Sequence, residues 1–187
     1  MDSPFMTRLA EGIAGHGVRV VRFEFPYMAA MGRDGRRRPP DRAPVLVKAW
    51  KGVVADVAAA GPGAVAIGGK SLGGRIASMV ADDLGVLACL CFGYPFHPPG
   101  RPENTRTAHL ATLATPTLIL QGTRDTFGTP EEVAGYPLSP GVRVHWLEAG
   151  DHGFATPARH PRTTEDNMAE AIAAVMNFLA VLKTLKL

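Results

Sequence analysis

The chain carries 187 residues, 46% of them hydrophobic, and its 20 Lys and Arg against 17 Asp and Glu leave a net charge of +3. That length suffices for one apolar core and is short for two, so the expectation is a single globular domain over residues 1–187. The charge margin is too thin for a nucleic-acid binder. No apolar run reaches the ~18 residues that span a bilayer, the longest, Val86 to Phe96, being broken by Gly93 and Pro95.

At the N-terminus, Asp2 stands where a secretory signal carries positive charge, and Arg8 and Glu11 interrupt any apolar stretch. The expected location is therefore the cytoplasm, with no membrane partner. Ser3 as N-cap and Pro4 at the first helical position start a helix whose apolar face is Phe5, Met6, Leu9 and Ile13, and Gly15 or Gly17 ends it. A strand is expected at about Val18 to Phe25, followed by a loop from Pro26 through the Gly-, Arg- and Pro-rich stretch Gly32 to Pro44. Leu46, Ala49, Trp50, Val53, Val54 and Val57 recur at helical spacing within Val45 to Ala60, and Gly61-Pro62-Gly63 stops that helix. A strand at Ala64 to Ile67 then leads through a tight turn into a helix running to Leu84.

Val86 to Gly93 is apolar throughout, the pattern of a strand buried on both faces. Cys89 and Cys91 lie two apart on it, so both point to one face and into the core, in keeping with a reducing compartment. Tyr94 to Arg106 is a Pro-rich loop carrying His97, and His109 to Leu113 is at most a short helix. Pro116 to Gln121 forms another apolar strand. A short helix near Pro130 to Ala134, a strand at Arg143 to Leu147 and a loop with Gly150-Asp151-His152-Gly153 follow, before a long helix from about Thr164 to Leu185. Strands alternating with helices predict an α/β fold, a mostly parallel sheet of about five to six strands flanked by helices.

The turn at Gly69-Lys70-Ser71-Leu72-Gly73 carries the chemistry. A G-x-S-x-G pattern between strand and helix is a nucleophile elbow, which lifts a strained serine above the sheet and needs small residues on both flanks. Serine is a poor nucleophile at neutral pH, so it needs a base to take its proton and an acid to orient that base. Ser71, Asp125 and His152 each follow a different predicted strand, and in a parallel sheet such loops gather on one edge. Ser71 is then the nucleophile, His152 the base and later the acid, Asp125 the residue that orients the imidazole, and the Leu72 N–H an oxyanion donor.

Each member also has a plainer reading. Ser71 could cap its helix, although capping does not call for glycine on both sides, and Asp125 could cap the turn after its strand. Asp151 is the rival acid, and adjacency to His152 points it elsewhere. His97 is the rival base, while His16 at a helix end and His145 within a strand read as structural or solvated. The Gly69-Lys70-Ser71 triplet lacks the upstream glycine of a phosphate loop, since Ala64 stands there. Arg33, Arg36, Arg37, Arg38 and Arg42 form the one basic cluster, either a solvated loop or an overhang that attracts anions. Lys70, His97 and Arg36 are the expected substrate contacts. No metal or cofactor is expected.

Several strings go beyond an anonymous elbow: Ser3-Pro4-Phe5-Met6, Arg22-Phe23-Glu24-Phe25-Pro26-Tyr27-Met28, Arg38-Pro39-Pro40, Gly68 to Arg75, Gly93-Tyr94-Pro95-Phe96-His97-Pro98-Pro99-Gly100 and Gln121-Gly122-Thr123-Arg124-Asp125. Over nearly its whole length the chain resembles the bacterial branch of the KANL3/Tex30-like α/β-hydrolase family. The resemblance implies an α/β-hydrolase fold with minimal lid, no metal, and a triad that falls on Ser71, Asp125 and His152. Members usually carry, just upstream of the Ser-Pro-Phe-Met segment, an apolar strand ending in a His-Gly-Ala-Gly turn that supplies a second oxyanion N–H. This sequence opens at Met1-Asp2-Ser3. The expectation is thus a fold lacking that N-terminal strand, weak in turnover, with a Val18 to Phe25 edge that a second copy would cover as a homodimer. The reading is a serine hydrolase of an ester, thioester or similar small acyl substrate. Its alternative is a hydrolase-like scaffold that binds without turnover.

Overall fold

The computed structural model describes residues 3–184. Four strands form one sheet: β1 (Ala66–Lys70), β2 (Ala88–Phe92), β3 (Thr117–Gly122) and β4 (Val142–Leu147). They lie side by side in sequence order, and every neighbouring pair is parallel. Around them stand α1 (Pro4–Ala14), α2 (Pro26–Asp34), α3 (Ala43–Ala59), α4 (Leu72–Leu84), the short α5 (Pro130–Val133) and α6 (Thr164–Thr184), with one 3₁₀ turn at Ala108–Ala111. Parallel pairing forces a crossover between consecutive strands, so all four carboxyl ends share an edge and the loops leaving them converge.

Every residue of β2 and β3 is buried, which explains why these strands read as unbroken apolar runs. Alternate side chains go to opposite faces. Cys89, Cys91 and Ile119 pack with Leu46 and Trp50 of α3 and with Ile76, Ala77 and Val80 of α4. Leu90, Phe92, Leu118 and Leu120 pack on the other face with Leu9 and Ile13 of α1 and with Ala171, Val175 and Phe178 of α6. Both cysteines are free thiols, and the hydrogen bond with Cys89, then burial, push the Cys91 thiol well up. The helix signals act as their chemistry dictates: Ser3 Oγ accepts from the Met6 N–H at 3.3 Å, and a proline sits in the first turn of α1, α2, α3 and α5.

Two expectations are corrected. Residues 18–25 form no strand, so the sheet has four strands among the described residues, close to the expected five to six. A cleft lined by Val18 to Phe23 and Phe25 on one side and by the outer edge of β1 on the other lies between the two segments, and no ladder crosses it among the described residues. Pro26 opens a helix, not a loop. Its fixed φ suits the first helical turn, and Gly35, at φ 69°, closes α2 by donating its N–H to the Met31 carbonyl at 2.8 Å. Only residues 35–42 remain loop. Strand β1 also runs to Lys70 because its pairing with β2 continues to Lys70↔Phe92, which brings the sheet to the serine itself. The expected end of α6 at Leu185 lies outside the described residues. Among the described residues no helix is long and apolar enough to cross a membrane.

Candidate active site

Ser71 follows β1 directly and precedes α4, with φ 50° and ψ −115°. A non-glycine residue there is strained by about 1–3 kcal/mol, held in place by the strand before it and the helix after it. A Cβ on Gly69 would stand 2.7 Å from the Gly73 carbonyl carbon, and one on Gly74 would stand 2.6 Å from the Gly69 carbonyl oxygen. A Cβ on Gly73 would meet open space. The small pair that lets the turn close is therefore Gly69 and Gly74, not Gly69 and Gly73. The Ser71 side chain makes no capping bond, so the plain N-cap reading fails.

The hydroxyl of Ser71 instead donates to His152 Nε2 at 2.9 Å, and His152 Nδ1–H donates to Asp125 Oδ2 at 2.8 Å. The carboxylate acceptor sets the tautomer and leaves Nε2 free to accept. Asp125 is fully buried and takes two further bonds, from Gln121 Nε2 at 2.8 Å and from the Phe127 N–H at 2.9 Å. Its turn-capping and imidazole-orienting roles are thus both filled, one by each oxygen. The Phe127 ring lies 4.3 Å from the His152 ring, centroid to centroid, limiting how the imidazole can swing. Asp151 caps its own loop, accepting the Gly153 and Ala155 N–H groups at 2.7 and 3.0 Å.

The other expected contacts separate. Lys70 is close: its Nζ donates to the His152 carbonyl and lies 5.4 Å from the Phe5 ring centroid. Burial lowers its pKa to about 8, although the Asp125 and Asp151 charges pull the other way. His97 turns away from Ser71, with its imidazole on the Pro98 carbonyl at 2.8 Å and on Glu132 at 3.2 Å. Arg36 is exposed, its backbone N–H on Asp34, and Arg38 pairs with Asp34. Neither His97 nor Arg36 lines the cleft beside Ser71. His145 pairs with Glu170 at 2.7 Å, as a structural histidine does.

Gln121 is the residue that sequence reasoning missed. Fully buried at the end of β3, it accepts the Tyr94 N–H at 2.7 Å and donates to Asp125, tying the loop after β2 to the loop after β3. Its signal was visible: one amide ending an otherwise apolar run. Among the described residues no three His, Cys, Asp or Glu side chains gather as a metal site.

A parallel sheet carrying a strained serine between strand and helix, linked through histidine to a buried aspartate, defines the α/β-hydrolase class. The chain belongs to the family described as the alpha/beta hydrolase domain, whose pattern matches residues 1–180. Similar solved structures include an alpha-beta serine hydrolase homologue from Coxiella burnetii, at 21% identity and TM-score 0.70, with 95% of this chain and 76% of that one covered. A serine hydrolase without lid from Xanthomonas campestris aligns at 19% identity and TM-score 0.71, covering 95% and 75%. The esterase domain of a Rhodothermus marinus protein aligns at 15% identity and TM-score 0.66, covering 93% and 79%. At these identities the likeness shows the fold. No curated protein matches the chain.

Proposed function

We propose that this chain is a serine hydrolase of esters, thioesters or similar small acyl compounds. The observation that carries the reading is the unbroken hydrogen-bond chain Ser71–His152–Asp125, at 2.9 and 2.8 Å, ending on a buried carboxylate. In this mechanism Ser71 Oγ attacks the acyl carbon as its proton passes to His152 Nε2. The resulting imidazolium is stabilised by Asp125, and the proton then goes to the leaving group. The Leu72 N–H, first in α4 and aimed by the helix start, donates to the oxyanion, and water deacylates Ser71 by the same relay. The names of similar structures, a serine hydrolase and an esterase domain, support the acyl-transfer class. The motif strings from Ser3 to Asp125 support kinship with the KANL3/Tex30-like branch.

The test is labelling by a fluorophosphonate, which phosphonylates only an activated serine. Wild type should label, and Ser71→Ala should not. Ester turnover in that variant should fall by several orders of magnitude with the melting temperature nearly unchanged. Unabated ester hydrolysis by Ser71→Ala would place the chemistry elsewhere. An unlabelled, folded wild type would favour the binding-scaffold reading.

A further inference from the structure

The loop after β2 is fastened to α4 by a cluster of side chains that the proposed relay does not use. Ser78 Oγ donates to the Arg75 carbonyl at 2.8 Å, and Tyr94 Oη donates to the Arg106 carbonyl at 2.9 Å. His109 Nε2 lies 2.9 Å from the Ser78 hydroxyl and 3.4 Å from that of Tyr94. A hydroxyl has a single proton, and both of these are committed to carbonyls, so the imidazole donates from Nε2 to the two oxygens. Burial, and then the Arg75 charge, lower the His109 pKa, which keeps the ring in its neutral form. Burial raises the Tyr94 phenol, which keeps its proton.

This hydroxyl–imidazole–hydroxyl bridge pins the backbones of two arginines, and no acid stands between them. Burial, and then the Arg75 charge, lower the Arg106 pKa, as expected of guanidinium groups near enough to repel. No carboxylate pairs with either side chain among the described residues. The Arg75 Nε–H is buried and makes no hydrogen bond. Solvation of an ordinary surface loop accounts for an exposed guanidinium, but not for a buried donor left without an acceptor. Both residues are half-buried, so a small ligand can reach them. The cluster adjoins the triad from two directions. Arg75 stands one helical turn beyond the nucleophile, its N–H on the Ser71 carbonyl at 3.0 Å. Gly93, the neighbour of Tyr94, is where an added Cβ would lie 3.2 Å from His152 Nδ1.

We propose that Arg75 and Arg106 form a clasp for one small oxyanion, a carboxylate or a phosphate, held in place beside the nucleophile by the Ser78–His109–Tyr94 bridge. Such an anion converts the repulsion between the guanidinium groups into an attraction to each, and its paired oxygens match their planar forks. A halide has no such pair. The same chemistry admits a free anion or the far end of an acyl substrate.

The test follows the arginine Nε–Hε resonances of the whole chain by NMR at constant ionic strength. Inorganic phosphate and adipate should each shift the Arg75 and Arg106 signals saturably, and chloride should not. Arg106→Gln, read on Arg75, should weaken both affinities by about tenfold or more, as should Arg75→Lys, read on Arg106, which keeps the charge and loses the fork. Arg101→Gln, at an exposed position of the same loop, should leave them within about twofold. A chloride response equal to that of phosphate, no saturable shift in the folded chain, wild-type affinity in Arg106→Gln, or equal weakening by Arg101→Gln would overturn the clasp. The source of the oxyanion is read from the kcat/KM ratio of 4-nitrophenyl hemiadipate to 4-nitrophenyl hexanoate, an arm that rests on the hydrolase reading. A ratio of about ten or more that collapses in Arg106→Gln identifies the anion as the carboxylate of the substrate; a ratio near one in wild type identifies it as a free anion. No turnover of either ester, with the phosphate shifts intact, would count against the hydrolase reading and leave the clasp standing.

Discussion

At the residue scale, Lys70 shows how a buried charge reports on the site. Desolvation lowers its pKa from 10.5 to about 8, equivalent to about 3 kcal/mol against folding while both states are protonated, below pH 8. Between pH 8 and 10.5 the unfolded chain holds the extra proton, so stability rises with pH across that window. Chemical denaturation of wild type and Lys70→Met should therefore differ by a term that grows in favour of wild type, by up to about 3 kcal/mol, between pH 8 and 10.5. A difference that stays flat over that range would mean Lys70 is solvated. Gly93 is the second residue on which the histidine loop rests. At φ 67°, an added Cβ would lie 2.8 Å from the His152 carbonyl oxygen and 3.2 Å from its Nδ1. Gly93→Ala combines about 1–2 kcal/mol of backbone strain with a push on the imidazole. Fluorophosphonate labelling should slow at least tenfold, and labelling at the wild-type rate would show that the loop yields without disturbing the relay.

Among the elements, α6 does more than cover a sheet face. Asn167, fully buried in its first turns, donates from Nδ2 to the carbonyls of Glu148 and Phe154 at 3.1 and 3.0 Å. Those two carbonyls bracket the loop that carries His152, so the helix holds that loop from behind while Lys70 and Gly93 hold it from the front. Asn167→Ala leaves both carbonyls unpaired and should destabilise the fold by about 2–4 kcal/mol. Labelling should fall even under conditions where circular dichroism shows the chain folded. Retention of full labelling in the folded variant would make Asn167 purely structural. The capping box on α5, where Thr129 and Glu132 exchange bonds, explains in the same way why His97 is unavailable: the Glu132 carboxylate that closes the box also holds the His97 imidazole.

For the whole molecule, burial predicts a gradient of local stability. β2 and β3 are covered on both faces and paired on both edges, whereas among the described residues nothing pairs with the outer edge of β1 and residues 18–25 join no ladder. Native-state amide exchange should be slowest in Cys89, Cys91 and Ile119 and fastest along Val18 to Val21. Rapid exchange in β3 would contradict the packing described. The parallel α/β architecture and the serine, aspartate and histidine were legible in the sequence because each depends on local grammar: an apolar run, then a turn residue at its carboxyl end. Residues 18–25 were misread because composition announces an extended backbone but not whether a neighbour lies within hydrogen-bonding reach. Gln121 and Asn167 were hidden for a related reason. Their partners are carbonyls and carboxylates brought close only by the fold, and a lone polar residue carries no mark of what it will touch.

The strand order has a consequence for how the chain is made. Because β1, β2, β3 and β4 are laid down in the order in which they are translated, each new strand finds its neighbour already in place, and the sheet can grow behind the ribosome. Ser71 and Asp125 are then seated early, while His152 and the helix that braces it emerge last. The Ser71 hydroxyl therefore has no imidazole to donate to until the last part of the chain is in place, so the hydrogen-bonded chain through His152 to Asp125 closes only when the final helix docks.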